Sequence, residues 1–600
     1  MSHHTEGPRP LVLVPEDLPR VEAVPLAERD LPRSTHELLV RSAERYGDSP
    51  ALHLLGEGRP WREAETWTYA DLLRRTRQTA NAYLDAGLVP GEPVALLLPN
   101  GGQAFAAFLA AQAVGIANPV NPMLAEDHVH DILALTGARL LVAAPASVEK
   151  ARAIAKRLPG LRVLDAGELA DASARQPDRL RTRYRPGPDD LAAYFHTGGT
   201  TGTPKVAPHT HANEVYTAWA LGCSGGYLDD SVGLSGLPLF HVNAVHVTGL
   251  APFMHGRPVV SLGPLGYRDR ALMADFWRII EHYRVTSFSG VPTVYASLPP
   301  VPDDVDLSSL RAGAVGAAPL PRAVRSAFEE SAKVPMLEGY GLTEATCVSA
   351  ATPALAPRPG TVGLRLPYQR IKAVHVDAAG APAADCAPGE TGVLAIRGPN
   401  VFPGYLRDGR PDPSGTVFDG WLVTGDLGSV DADGYVRLAG RAKDLIIRGG
   451  HNIDPGPIEE SLLAHPAIGS AAVVAGPDAH SGEVPVAYVT LAPGAEADEN
   501  ELVAWAARHA PEPAAAPKAV RIRDALPLTA VGKVFKPELA ADAVRHAVLA
   551  ELAETGTAGT VEVVLRDGRP HATVLVEDDP STLTGRLNRY SFTSTVETLG

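Results

Sequence analysis

LAAYFHTGGTTGTPKVAPHTHANEVYTAWAL, residues 191–221, is the stretch whose reading decides the fold. A short apolar strand at Leu191 to Phe195 enters HTGGTTGTPK, and a helix-like pattern begins at about Ala212. Within ten residues this loop gathers Gly198, Gly199 and Gly202, the hydroxyls of Thr197, Thr200, Thr201 and Thr203, and the ammonium of Lys205. Glycines let a backbone turn its amides inward, and hydroxyls beside an ammonium supply the donors that phosphate oxygens accept. The loop therefore reads as a phosphate cradle between a strand and a helix. It is not a Walker loop, because Lys205 stands between Pro204 and Val206 rather than between Gly and Ser/Thr. The lysine carries weight, since the chain has nine lysines beside 45 arginines and the two cations are not interchangeable.

Outward from the loop, the amphipathic stretches Thr35 to Tyr46 and Tyr69 to Gly87 alternate with short apolar runs at 94–98 and 140–144. That alternation predicts an α/β chain with buried parallel strands. The Ala-rich run from Ala104 to Ala117 is too short for a bilayer span and reads as a buried helix running into a strand. Fifty-seven glycines and 54 prolines, scattered between apolar runs, predict many short turns.

At 600 residues the chain has room for three or four units. A formal net charge of −15 repels phosphate backbones, which argues against nucleic acid as a main partner. Cys223, Cys347 and Cys386 are far apart and lack metal-ligand spacing, so neither a disulfide framework nor a zinc ribbon is expected. With no basic start and apolar core at the N-terminus, the expected location is the cytoplasm.

HTGGTTGTPK resembles the signature loop of the adenylate-forming (AMP-binding) superfamily, with Gly198 where serine is common. Further segments share the resemblance. EGYGLTEA, Glu338 to Ala345, is similar to the family segment in which Thr343 would contact the α-phosphate, Glu344 would hold Mg²⁺, and Tyr340 with Gly341 would lie against adenine. An acidic residue beside phosphates makes chemical sense with a cation between them. WLVTGDLG sets Asp426 where relatives hold the ribose hydroxyls. GYVRLAGRAKDLIIRGGHNIDPGPIEE sets Arg441 at a ribose or phosphate contact, Lys443 at a hinge, and Gly449 and Gly450 in a nucleotide-side turn. PLTAVGKVFK presents Lys533 like the lysine that enters the site during adenylation. GAVGAAPLP resembles the adenine turn, with Gly316, Ala317 and Ala318 leaving room for the base, and LPLFHVNAV sets His241 beside the acyl carboxylate. GVLAIRGPNVFPGYL resembles a barrel-like scaffold.

The resemblance implies an α/β fold. A large N-terminal adenylate-forming domain of layered α/β subdomains with a small β-barrel-like part would occupy 35–439, and a smaller mobile α+β lid 440–539. Residues 1–34 form a Pro-rich extension, and 540–600 a C-terminal extension with a β-hairpin about Asp567-Gly568. The extension would extend the lid's sheet, guard the CoA entrance or form an oligomer contact such as a homodimer's. The implied activity is that of an acyl-CoA synthetase. It activates a carboxylic acid, fatty or aromatic, with ATP and Mg²⁺ as an acyl-AMP and passes the acyl group to CoA. The alternatives are loading of an acyl carrier protein and activation of another oxyacid, such as nitrite, for an amine. The small residues Gly313, Ala314, Gly316 and Ala317 make room either for an acid larger than acetate or for adenine.

Overall fold

The computed structural model describes residues 10–197, 205–441, 444–449, 451–529, 532–566, 569–577 and 579–598. Two large sheets organise the first two thirds of the chain. One has six strands, in the order Arg162–Asp165, Leu140–Ala143, Pro93–Leu97, Ile116–Pro119, Leu191–Thr197 and Lys205–Thr210, all parallel except the last. Parallel strands covered on both faces read as continuous apolar runs, which is why Val94 to Leu97 and Leu140 to Ala143 are fully or almost fully buried. The Ala-rich run forms the buried helix Gly102–Val114 followed by the strand Ile116–Pro119, and the amphipathic stretches form the helices Thr35–Tyr46 and Tyr69–Asp85.

The second sheet has nine strands and is parallel through its middle, where Gly233–Ser235, Ser287–Gly290, Ala312–Val315 and Met336–Tyr340 lie side by side. A third, antiparallel sheet of six strands includes Gly392–Arg397, Trp421–Val430 and Val436–Arg441, in the region that resembled a barrel-like part. Asp426 and Arg441 are register partners on its neighbouring strands.

A separate five-stranded sheet with the helices Pro455–Leu463 and Glu499–His509 follows and has its own core around Ile458, Val473, Val489 and Leu502. The helix Lys536–Thr555 then leads to a three-stranded sheet of Gly559–Arg566, Arg569–Val576 and Thr593–Thr598. Its first two strands form a hairpin, whose turn residues Asp567 and Gly568 lie outside the described residues. The third strand adds in parallel beyond the helix Ser581–Leu587. This tail sheet does not pair with the five-stranded sheet among the described residues. It packs Ala572, Val574 and Val576 on Val544, Val548 and Leu552 of the long helix. Among the described residues no helix is long and apolar enough to cross a membrane.

Candidate active site

The candidate site gathers residues from all three large sheets: Thr197 and Lys205 from one, Tyr340 and the following Glu344 from the second, and Asp426 and Arg441 from the third. Leu191–Thr197 and Lys205–Thr210 pair antiparallel from Ala193 to Lys205, and Thr197 opposes Lys205 at the open end. Gly198, Gly199, Thr200, Thr201, Gly202 and Thr203 lie outside the described residues. The helix His211–Gly222 starts at once because Thr210 and Asn213 form a reciprocal capping box. The cap is tied further by Asn213 Nδ2, which donates to the Pro399 carbonyl at 2.7 Å.

Across from Thr197 and Lys205, joined to them through Tyr405, is the turn after Met336–Tyr340. Gly341 has no room for a side chain, since a Cβ there would stand 1.5 Å from the Cys347 carbonyl oxygen. That close approach folds Thr343 and Glu344 into a short 3₁₀ turn. The Tyr405 hydroxyl donates to Glu344 Oε1 and also hydrogen-bonds Thr197. Lys205 Nζ lies 5.2 Å from the centroid of the same ring. Tyr405 thus joins the phosphate loop to the Glu344 turn. The stretch read as scaffold supplies a site residue, because its strand Tyr405–Arg407 leaves the antiparallel sheet and lies against Lys205–Thr210.

On the opposite wall, the Tyr340 hydroxyl donates to Asp426 Oδ2 at 2.7 Å, and Arg441 Nε lies 3.1 Å from Asp426 Oδ1. Asp426 is 8% exposed, so this carboxylate is held by two partners while remaining next to open space at the half-exposed Arg441 side chain. Ala317 adopts φ +73°, a left-handed conformation that costs a residue with a Cβ of order 1 kcal/mol. The turn Gly316, Ala317 and Ala318 is thereby bent outward, with Ala317 exposed. Gly313 has a different reason to be small: a Cβ there would strike Tyr295 and Phe328, so its space belongs to the core. Of the two roles expected for that group of small residues, pocket space does not extend to Gly313.

Lys533 enters this pocket from the C-terminal part of the chain. The loop that carries it is pinned by Thr293 Oγ1, which donates to the Gly532 carbonyl at 2.9 Å, and by the Thr529 hydroxyl, which accepts from the Lys533 amide at 3.1 Å. Burial, assisted by the Arg441 guanidinium, lowers the Lys533 ammonium to about 8, while the carboxylates of Asp426 and Glu344 oppose the shift. His241 caps the turn Val242–Val245, its ring accepting from the Asn243 amide. Burial first, and then Lys533, His196 and His246, push His241 down to about 3, so it is a neutral imidazole near the lysine. Gly449, by contrast, sits exposed at the turn between Ile446–Arg448 and His451–Ile453, its amide donating to the Ser481 carbonyl. None of its described contacts is with the pocket. Lys443 and Gly450 lie outside the described residues.

The donor set fits a magnesium nucleotide. Glu344 is a single carboxylate on a turn facing a Thr and a Lys, and Mg²⁺ in phosphate sites takes one or two carboxylates beside phosphate oxygens. Sequence reasoning missed Tyr405 and Thr293, whose hydroxyls reach their partners only across long separations in sequence.

Comparison with known proteins agrees with this geometry. The model for AMP-binding enzymes matches residues 39–406, and that for the AMP-binding enzyme C-terminal domain matches residues 457–533. The chain is 39% identical over 555 residues to a marinolic acid–CoA ligase of Pseudoalteromonas sp. (strain SANK 73390), spanning 88% of this chain and 84% of the relative. It is 35% identical over 479 residues to a feruloyl-CoA synthase of Amycolatopsis sp., spanning 79% and 93%. Among solved structures it is similar to ATP-bound MatB from Rhodopseudomonas palustris, with a TM-score of 0.74, 28% identity and coverage of 84% and 98%. It is also similar to the anthranilate CoA ligase AuaEII in complex with anthranoyl-AMP, with a TM-score of 0.77, 25% identity and coverage of 87% and 99%. A lysine delivered from the C-terminal part to Asp426, Glu344 and Arg441 and matches along nearly the whole length agree: the chain belongs to the AMP-binding enzyme family, in the acyl-CoA synthetase branch of the adenylate-forming superfamily.

Proposed function

We propose that this chain converts a bulky carboxylic acid, fatty or aromatic, into its CoA thioester through an acyl-adenylate. It is an AMP-forming acid–thiol ligase that uses ATP, Mg²⁺ and CoA. The observation that carries the reading is the convergence of Lys533 with Asp426, Glu344 and Arg441, which gathers one lid cation and two carboxylates around one space.

In the first half-reaction, an oxygen of the acid attacks the α-phosphorus of ATP while the bond to pyrophosphate breaks. The Lys533 ammonium binds the carboxylate and the α-phosphate as negative charge builds between them. Thr343 donates to the α-phosphate, and Thr197, Thr200, Thr201, Thr203 and Lys205 with the glycine amides hold the other phosphates. Asp426 accepts both ribose hydroxyls, Arg441 supports that end, and Tyr340 with Gly316 to Ala318 flanks the base. Glu344 would hold Mg²⁺, which would screen the phosphate charge. Neutral His241 lines the acid's entry and presents no charge that would compete with Lys533 for the carboxylate.

In the second half-reaction, the thiol sulfur of CoA attacks the acyl carbon and AMP leaves. The lid must move to exchange Lys533 for the thiol. The change of sheets supports a lid boundary just after Arg441, two residues beyond Ala439: Val436–Arg441 completes the antiparallel sheet, and Ile446–Arg448 opens the next one. Lys443 falls in that crossing. The similarity to ligases of marinolic and ferulic acids supports an acid larger than acetate.

The test is pyrophosphate release from MgATP with a panel of short, medium, long-chain, aromatic and amino acids, each with and without CoA. Acid-dependent release completed by CoA is expected. Release that CoA leaves unfinished but a carrier protein or an amine completes would overturn the choice of acceptor, and no release with any acid would overturn the ligase reading.

A further inference from the structure

Behind the Glu344 turn lie three fully buried side chains that the adenylation chemistry does not use. His209 is the last residue but one of the strand Lys205–Thr210, Glu214 is in the first turn of the helix His211–Gly222, and His246 opens the π-helical turn His246–Leu250. All three are 0% exposed. Their facing atoms, His209 Nδ1, Glu214 Oε1 and His246 Nε2, lie within 4.8 Å of one another. The two nitrogens stand 3.7 and 3.8 Å from the carboxylate oxygen. None of the three atoms has a hydrogen-bond partner.

The rest of each side chain fixes what these atoms are. His209 Nε2 lies 2.7 Å from the Thr343 carbonyl and His246 Nδ1 lies 2.8 Å from the Val242 carbonyl. A carbonyl only accepts, so both of those ring nitrogens carry the hydrogen. In the neutral rings the lone pairs therefore sit on His209 Nδ1 and His246 Nε2, both aimed at Glu214. The other carboxylate oxygen, Oε2, accepts from Gln112 Nε2 at 2.6 Å. Three electron-pair donors thus face one another in a buried enclosure, with the Phe195 ring centroid 4.9 Å from that of His209 and 6.2 Å from that of His246. One proton cannot serve them all, and the spacing is too long for a hydrogen bond.

We propose that His209, Glu214 and His246 form a structural site for one divalent transition-metal ion of the Zn²⁺ class. Two imidazoles and one carboxylate suit that class, and tetrahedral bonds of about 2.0–2.1 Å put ligand atoms about 3.3 Å apart, so the nitrogen–carboxylate spacings of 3.7 and 3.8 Å would each close by about 0.5 Å. Imidazoles that donate their second N–H to a backbone carbonyl are the usual support of such ligands. A π-helical turn, which here contains Thr248 at φ −114° and ψ 20°, is a common way to re-aim a side chain at a functional site. The ion is separate from the nucleotide's Mg²⁺. Through His209 it would hold the Thr343 carbonyl, and so brace the turn that carries Glu344.

The test is made on the full chain without ATP, so that magnesium and the nucleotide are absent. Wild-type protein stripped with a strong chelator and dialysed is titrated with Zn²⁺ and separately with Co²⁺. One equivalent of uptake is expected, with a visible d–d spectrum of low-coordinate Co²⁺ and a higher melting temperature in the zinc-loaded form. The near-isosteric E214Q and the ring-replacing H246Q are expected to lose stoichiometric uptake and the cobalt spectrum. Failure of the stripped wild type to bind either ion would overturn the site, and so would equal uptake by E214Q, whose carboxamide keeps the shape of Glu214. The wild-type titration requires no variant to fold, and its outcome is independent of whether the chain proves to be a CoA ligase.

Discussion

Lys533 gives the most exacting test, because its charge is set by the pocket. Burial and the Arg441 guanidinium lower it to about 8, from the ordinary lysine value of 10.5. Net of the opposing carboxylates, the pocket disfavours the ammonium by about 3.5 kcal/mol, at about 1.4 kcal/mol per tenfold change in proton affinity. Adenylation needs the ammonium, so activity is present below this value and is lost as pH rises through it. At pH 7 about nine chains in ten carry the charge and at pH 9 about one in ten. The rate constant kcat/KM for ATP in acid-dependent pyrophosphate release should therefore fall about tenfold per pH unit above 8. Other pocket groups do not confuse the reading: His241 is pushed down to about 3, and burial drives the Tyr340 and Tyr405 phenols upward. Lys533→Ala should lower this rate about 10²–10³-fold, the usual loss for a group that stabilises transition-state charge, and should flatten the limb. Lys533→Arg, permanently charged, should also lack the limb. A wild type with no limb between pH 7 and 9.5, or a limb that survives in Lys533→Ala, would refute the reasoning.

Glu344→Gln should raise the magnesium concentration needed for half-maximal rate, and an unchanged titration would count against the metal role. Tyr405→Phe removes the hydroxyl that joins Glu344 to Thr197 and should raise the KM for ATP several-fold with little change in thermal stability, measured by steady-state kinetics and melting. Thr293→Val removes the hydrogen bond to the Gly532 carbonyl, worth about 1 kcal/mol, and should slow acyl-adenylate formation about fivefold while sparing thioester formation from supplied acyl-AMP. Loss of both half-reactions together would show that the bond is not specific to the lysine's pose. Lys443→Pro should slow the CoA step more than the adenylation step, read as accumulation of acyl-AMP in a quench assay.

Local chemistry determined much of this protein from sequence alone. The alternation of apolar runs with amphipathic stretches set the α/β class, because buried parallel strands and surface helices need different periodicities. The helix Thr35–Tyr46 and the run of buried helix and strand at Gly102–Val114 and Ile116–Pro119 were legible for that reason. Glu344, Asp426, Arg441 and Lys533 are each named by a contiguous motif, and the structure sets these four side chains near one another. What the motifs do not contain is which distant side chains they meet. Tyr405 sits 61 residues from Glu344, and Thr293 sits 239 residues from Gly532. His209, Glu214 and His246 are spread over a strand, a helix and a π-helical turn, so no spacing joins them. Gly313 reads as pocket space in the sequence and is core space in the fold, because Tyr295 and Phe328 occupy the volume beside it. Motifs fix chemistry because they act through adjacent backbone, whereas contacts between segments depend on how sheets and helices pack, and only the tertiary structure decides that.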